Sequence, residues 1–357
     1  MAKTKPIVIF LASLSFAGVI GCGLDYYGQL VAGELASLGR TVPVSTALDD
    51  PNLTEEERAK LALTQDVRQF GIDTVGLNAG DAYTVFEANG TQPAAYVLSA
   101  SAKDSFTPYT WDLLFVGQSV VKGFFDRDMG QREADQLTDQ GYDVYYTTAD
   151  GFSTLGFLPD PVRQSNLQLE DMELAELILH EMTHSTIFKA SDGQFSESLA
   201  TFVGRTAAQA WFDATYGPSS PQAVAARTRF ADKAVIDAYV SELYDTMQQY
   251  YSSAAASGTP PDTIIAGRQA QFDAEAARFS TVFTPRLIDP ARWAYIAGLE
   301  MNNAKIFAAI RYEGSLSDYR AVLDKLGGSF PDAIAVFRDA AAAPDSRAFL
   351  RTWLLEH

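Results

Sequence analysis

The sequence predicts an α+β fold, predominantly helical, with a small mixed sheet in its N-terminal half and a helical C-terminal lobe. Three observations predict it. Short runs of strand character, punctuated by turn residues, cluster between about residues 72 and 160. From about Asp171 onward the apolar spacing is that of successive helices. The composition, 47% hydrophobic and 20% charged over 357 residues, is that of a globular protein with ample material for a core.

In chain order, residues 1–21 read as a signal peptide. Lys3 and Lys5 precede an apolar run, Pro6 to Ile20, too short to span a bilayer comfortably, and Val19-Ile20-Gly21-Cys22 closes it. Small Gly21 before Cys22 resembles a bacterial lipobox. Cys22 is therefore the expected lipidation site and mature N-terminus, which anchors the chain at the membrane of a bacterial cell envelope. Gly23 after it resembles the default for outer-membrane lipoproteins facing the periplasm. Cys22 is the only cysteine, so disulfides and cysteine-ligated metal are excluded. A net charge of −18 excludes nucleic acid as a partner, because phosphate binding needs a basic surface.

The segment 22–165 forms the mixed N-terminal lobe. Leu24 to Leu38 is helical, and Thr54-Glu55-Glu56-Glu57 has the form of a capping box opening a helix to about Phe70. Asn78-Ala79-Gly80-Asp81 is a turn. Tyr83 to Phe86, Ala94 to Ser99 and Phe115 to Val121 have strand character, and a helix over Asp128 to Gln140 precedes a strand over Tyr142 to Thr148. These strands are expected to form one small sheet. The segment 166–357 forms the helical lobe. Its first helix runs from near Glu170 to Lys189, the second from Phe195 to about Tyr216, and a long one from Gln222 to Tyr251. Ser252 to Asp262 reads as an exposed connector. A helix to Thr281, another over Pro290 to Tyr312, and shorter ones complete the chain.

The chemistry concentrates in the first of these helices, which contains His180-Glu181-Met182-Thr183-His184. Two of the chain's three histidines stand here, four residues apart, so both imidazoles lie on one helix face and can reach one metal ion. Glu181, one step round, is placed to take a proton from the attacking water. A catalytic zinc usually has three protein ligands, and Glu197 in the next helix is the natural third. Twelve residues, Ser185 to Ser196, separate it from His184. That length finishes one helix, turns through Ser191-Asp192-Gly193 and returns antiparallel.

Phe-Ser-Glu-Ser-Leu-Ala-Thr-Phe (195–202) resembles the N-E-x-x-A segment that carries the glutamate ligand in gluzincin peptidases, although Ser196 stands where those enzymes usually have Asn and the spacing is shorter. The chain more closely resembles a family of bacterial predicted zinc aminopeptidases, mostly lipoproteins. The likeness runs through Gly-Cys-Gly-Leu-Asp-Tyr-Tyr-Gly-Gln (21–29), Gly-Tyr-Asp-Val (141–144), Ser-Thr-Leu-Gly-Phe-Leu-Pro-Asp-Pro (153–161) and Asn302-Asn303-Ala304, with Tyr312 beyond. The resemblance implies a zincin-like core, one Zn2+ per chain held by His180, His184 and Glu197, and a peptide substrate. It also implies an edge strand for that substrate at Ser153, Thr154, Leu155 and Gly156.

The remaining roles are expectations of the same kind. Tyr312 is the candidate oxyanion stabiliser, since no further histidine except the terminal His357 exists. Asn302 and Asn303 either bind substrate backbone or cap a local turn. Asp192 and Glu300 are candidates to hold a substrate amine. The expected activity is that of a zinc metallopeptidase acting as an aminopeptidase. An envelope endopeptidase differs by cutting blocked peptides. In a non-catalytic envelope lipoprotein Glu181 has no use.

Overall fold

The computed structural model describes residues 23–90, 92–114, 117–149, 160–310 and 316–357. Helix α1 (Gly23–Gly39) leads into β1 (Thr41–Pro43) and the short α2 (Val44–Ala47). Helix α3 (Glu55–Phe70) opens on the expected capping box: Glu57 N–H donates to Thr54 Oγ1 at 3.1 Å, and Thr54 N–H to Glu57 Oε2 at 2.9 Å. Then follow β2 (Val85–Glu87), β3 (Ala95–Ser101), β4 (Trp111–Leu113), β5 (Gly117–Ser119), β6 (Lys122–Phe124), α4 (Arg127–Asp139), β7 (Asp143–Ala149) and β8 (Val162–Arg163).

The single small sheet expected from the sequence is instead three pieces. One sheet has the order β1-β2-β8, a second β6-β3-β7, and β4 pairs only with β5. The division has a physical reason. The three-residue β2 takes its partners from before α3 and after β7. Pairings so distant in sequence leave no local pattern. The seven-residue β3 is the longer template, bordered by β6 and β7, both antiparallel to it.

The helical part comprises α5 (Asp171–Thr186), α6 (Gly193–Tyr216), α7 (Pro221–Ala256), α8 (Pro261–Arg278), α9 (Pro290–Trp293), α10 (Asn303–Ile310), α11 (Leu316–Lys325), α12 (Phe330–Ala342) and α13 (Ser346–Glu356). Two expectations need correction. Helix α7 continues through Ala254-Ala255-Ala256, all good helix formers, so only 257–260 connect it to α8. The helix read from Pro290 onward is broken into α9, a 3₁₀ turn Ala294–Gly298 and α10.

Three apolar clusters hold these elements. The largest joins α3, β2 and β8 to α5, α6 and α11–α13, through Leu61, Val67, Phe86, Leu179, Phe195, Leu199 and Phe337 among others. A second lies around α7, α8 and α10, and a third between α1, α4 and the β3 sheet. Packing therefore crosses residue 165, since α3 shares its core with α5 and α6. Among the described residues no helix is long and apolar enough to cross a membrane.

Candidate metal centre

Helix α5 forms because Leu174, Ala175, Ile178, Leu179 and Met182 give it a continuous buried face, and Asp171 and Glu173 suit the positive end of its dipole. It ends at Thr186, whose hydroxyl donates to Met182 O at 2.7 Å. The return is tightly stitched. Lys189 N–H donates to the buried Ser196 hydroxyl at 3.0 Å, and Asp192 caps α6 by accepting from Phe195 N–H at 2.9 Å. Asp192 thus serves as a cap.

Gly204 lets the two helices approach closely. A Cβ added there would lie 3.0 Å from the Glu176 carbonyl oxygen and 3.2 Å from His180 Cβ. That approach brings the ligand atoms together. His180 Nε2 and His184 Nε2 are 3.1 Å apart, and Glu197 Oε2 lies 3.6 Å from the first and 3.7 Å from the second. Tetrahedral zinc, with bonds of about 2.0–2.1 Å, sets its ligand atoms about 3.3–3.4 Å apart. Two imidazoles and one carboxylate at these separations fit a zinc ion in both donor chemistry and span. One feature falls short of the usual arrangement: His184 Nδ1 is buried without a hydrogen-bond partner among the described residues.

The electrostatics follow from crowding. Burial opposes charge on Glu197, but contacts with His180 and His184 outweigh it and hold its carboxyl well below the usual range. Burial likewise disfavours a charged His184, yet Glu197 and Glu181 together raise its proton affinity above the ordinary value. Glu181, beside the triad, is pushed up, chiefly by burial; the two histidines oppose this, and Glu197 and Asp160 add to it. The arrangement presents a candidate cation-binding triad, with Glu181 next to His180 in the chain. The Phe188 ring, 45% exposed, stands edge-on to His184 and gives the site an apolar border.

Behind the triad, Glu176 on α5 binds Arg205 of α6 at 3.0 Å and Lys233 of α7 at 3.3 Å. Arg205 also pairs with Asp237. This half-buried ion network ties together the helices that carry the ligands.

Asn303 is fully buried and engaged. Its amide donates to the carbonyls of Ala102 and Ser105, its side-chain oxygen accepts from Tyr251, and its N–H donates to Asp143. Asn302 donates to Val144 O and accepts from Lys305 N–H as a local cap. The Glu300 carbonyl accepts from Lys305 Nζ. Cys22, Ser153, Thr154, Leu155, Gly156 and Tyr312 lie outside the described residues. Sequence reasoning missed Gly204 and Asp160. A lone glycine in a helical pattern was the available signal for the first.

Fold and site together define a predominantly helical α+β protein whose paired helices present a candidate metal-binding triad. The chain belongs to the family described as "Putative aminopeptidase", whose family model matches residues 25–350. No curated protein and no solved structure matches it. The family points to a peptidase-like function and to peptide substrates.

Proposed function

We propose that the protein is a zinc-dependent metallopeptidase, an aminopeptidase exported to the bacterial cell envelope and anchored there through Cys22. One observation carries the reading: His180 Nε2, His184 Nε2 and Glu197 Oε2 all lie within 4.8 Å of one another, with Glu181 adjacent to the first ligand. The family description supports the aminopeptidase part.

Bound by these three residues, zinc would supply the Lewis acidity that activates water and polarises the scissile carbonyl. Glu181 accepts the proton of the attacking water and returns it to the leaving amine. The exposed Phe188 offers an apolar surface to a substrate side chain. The N-terminal pattern of Lys3, Lys5, an apolar run and Gly21-Cys22 supports the anchor.

Elemental analysis of the chain starting after Cys22 tests the metal. About one zinc per chain, lost in Glu197→Ala, is expected from a three-ligand site. Retention of zinc in that variant moves the third ligand elsewhere. Turnover of amino-acid amides but not of amino-blocked peptides is the expected activity, and the reverse preference indicates an endopeptidase. Palmitate labelling should disappear in Cys22→Ser.

A further inference from the structure

Helix α1 turns one side to the protein. Tyr26 is buried, and Leu30 packs beside it in the third cluster. A Cβ added at Gly33 would strike the Phe125 side chain, and the buried Ser37 hydroxyl donates to Glu87 Oε2 at 2.9 Å. At about 100° per residue, positions 26, 30, 33 and 37 therefore mark the inner face. The opposite face carries Gly28, Val31, Ala32, Leu35 and Gly39, all exposed, with Val31 60% and Leu35 63% accessible. None of these residues is charged or polar. Leu114, 73% exposed, widens the patch: its N–H donates at 2.8 Å to the hydroxyl of Tyr27, one turn before Val31.

A surface helix ordinarily sets charged and polar side chains opposite its buried face. The charged residues of α1 are Asp25 and Glu34, each about a quarter-turn away from Leu35 around the axis. The helix is not long and apolar enough to span a membrane. An apolar outer face on such a helix suits the plane of a bilayer surface. Its place in the chain selects lipid as the occupant. Helix α1 starts at Gly23, the residue after the expected acylation site Cys22. With no spacer between the two, an acylated Cys22 keeps the first turns of α1 at the bilayer.

We propose that the outer face of α1, with Leu114 beside it, lies in the headgroup layer of the membrane that holds the Cys22 anchor. Val31 and Leu35 reach toward the acyl chains, and the protein rests on the bilayer instead of hanging from it. The proposal rests on the anchor reading above, and its test separates the two. The full chain carrying Leu35→Cys is labelled with a fluorophore and placed on phosphatidylcholine vesicles that contain doxyl-labelled lipid. Glu34→Cys, adjacent in the chain but off the outer face, is the control. An acylated Cys22 takes no fluorophore; where the chain takes up no palmitate, Cys22→Ser is added. Quenching at residue 35 is expected to exceed that at residue 34 about threefold or more. Val31→Cys replaces Leu35→Cys should that variant not fold. Equal quenching in a palmitate-labelled chain overturns the proposal and keeps the anchor. Stronger quenching at residue 35 without palmitate uptake keeps the lipid-facing helix and removes the anchor instead. Unlabelled Leu35→Cys chains that pair through a disulfide on the vesicles, with no excess quenching, overturn the proposal in favour of a second copy.

Discussion

Glu181 and His180 are neighbours in the chain, but their chemistry separates cleanly: the imidazole points into the triad, whereas the carboxylate is no part of it. Removing charge from Glu181 while keeping its shape should therefore remove catalysis and leave the metal. In Glu181→Gln we expect kcat for amide hydrolysis to fall by a factor on the order of 10²–10⁴, with zinc content equal to wild type by elemental analysis. Full activity would sink the general-base role. The four residues at this centre were legible in the sequence for a geometric reason. A spacing of four fixes two side chains on one helix face, and a twelve-residue return can bring Glu197 back to them. The left-handed backbone of Tyr83 (φ 62°) was not legible, because the bonds of its turn come from Asp160, Gln65 and Arg68, none of which adjoins it in sequence.

At the scale of elements, the centre depends on how closely α5 and α6 approach. Gly204 sets that distance, and the atoms an added Cβ would meet include a backbone carbonyl that cannot turn aside. Gly204→Ala should cost about 1–3 kcal/mol in urea unfolding through overpacking, and should weaken zinc binding by moving His180 relative to Glu197. Unchanged zinc affinity would mean that the helices can part without disturbing the triad. The same helices are tied by Glu176, where burial raises the carboxyl but Lys233 and Arg205 more than offset it, so its proton affinity lies below the ordinary value of 4.5. A carboxyl lowered on folding stabilises the protein fully above the unfolded-state value and loses that contribution as pH falls through the lowered one. The midpoint difference between wild type and Glu176→Gln should therefore be constant from pH 7 to about 5 and shrink as pH falls below the ordinary carboxyl range. A difference unchanged at low pH would show that the ion network contributes nothing through charge. Helix positions and caps such as Thr54–Glu57 were legible because their partners are local. The break after Trp293 and the division of the strands among three sheets were not, because distant segments decide them.

Across the whole molecule, the second and third apolar clusters are joined by one polar knot. Asp143 at the start of β7 accepts two bonds from Arg268 of α8, at 2.6 and 2.8 Å, and one from Asn303 N–H at 2.9 Å. Asn303 carries the knot onward to the loop after β3 and to Tyr251 of α7. These partners lie 52 to 201 residues from Asn303, so sequence alone left its amide free to be read as a substrate contact. The two roles make opposite predictions. A side chain that fastens the sheet to the helices is expected, on truncation to alanine, to leave the half-buried Ala102 carbonyl without this donor and to take one bond from the buried Tyr251 hydroxyl, at a cost of about 1–3 kcal/mol where no water enters. Asn303→Ala should then lower the unfolding midpoint markedly, while KM and kcat for an amino-acid amide stay within about twofold of wild type below that midpoint. A variant of wild-type stability with a raised KM would instead return Asn303 to the substrate. The knot would then be an approach by which peptide binding reaches the junction between the β3 sheet and α10.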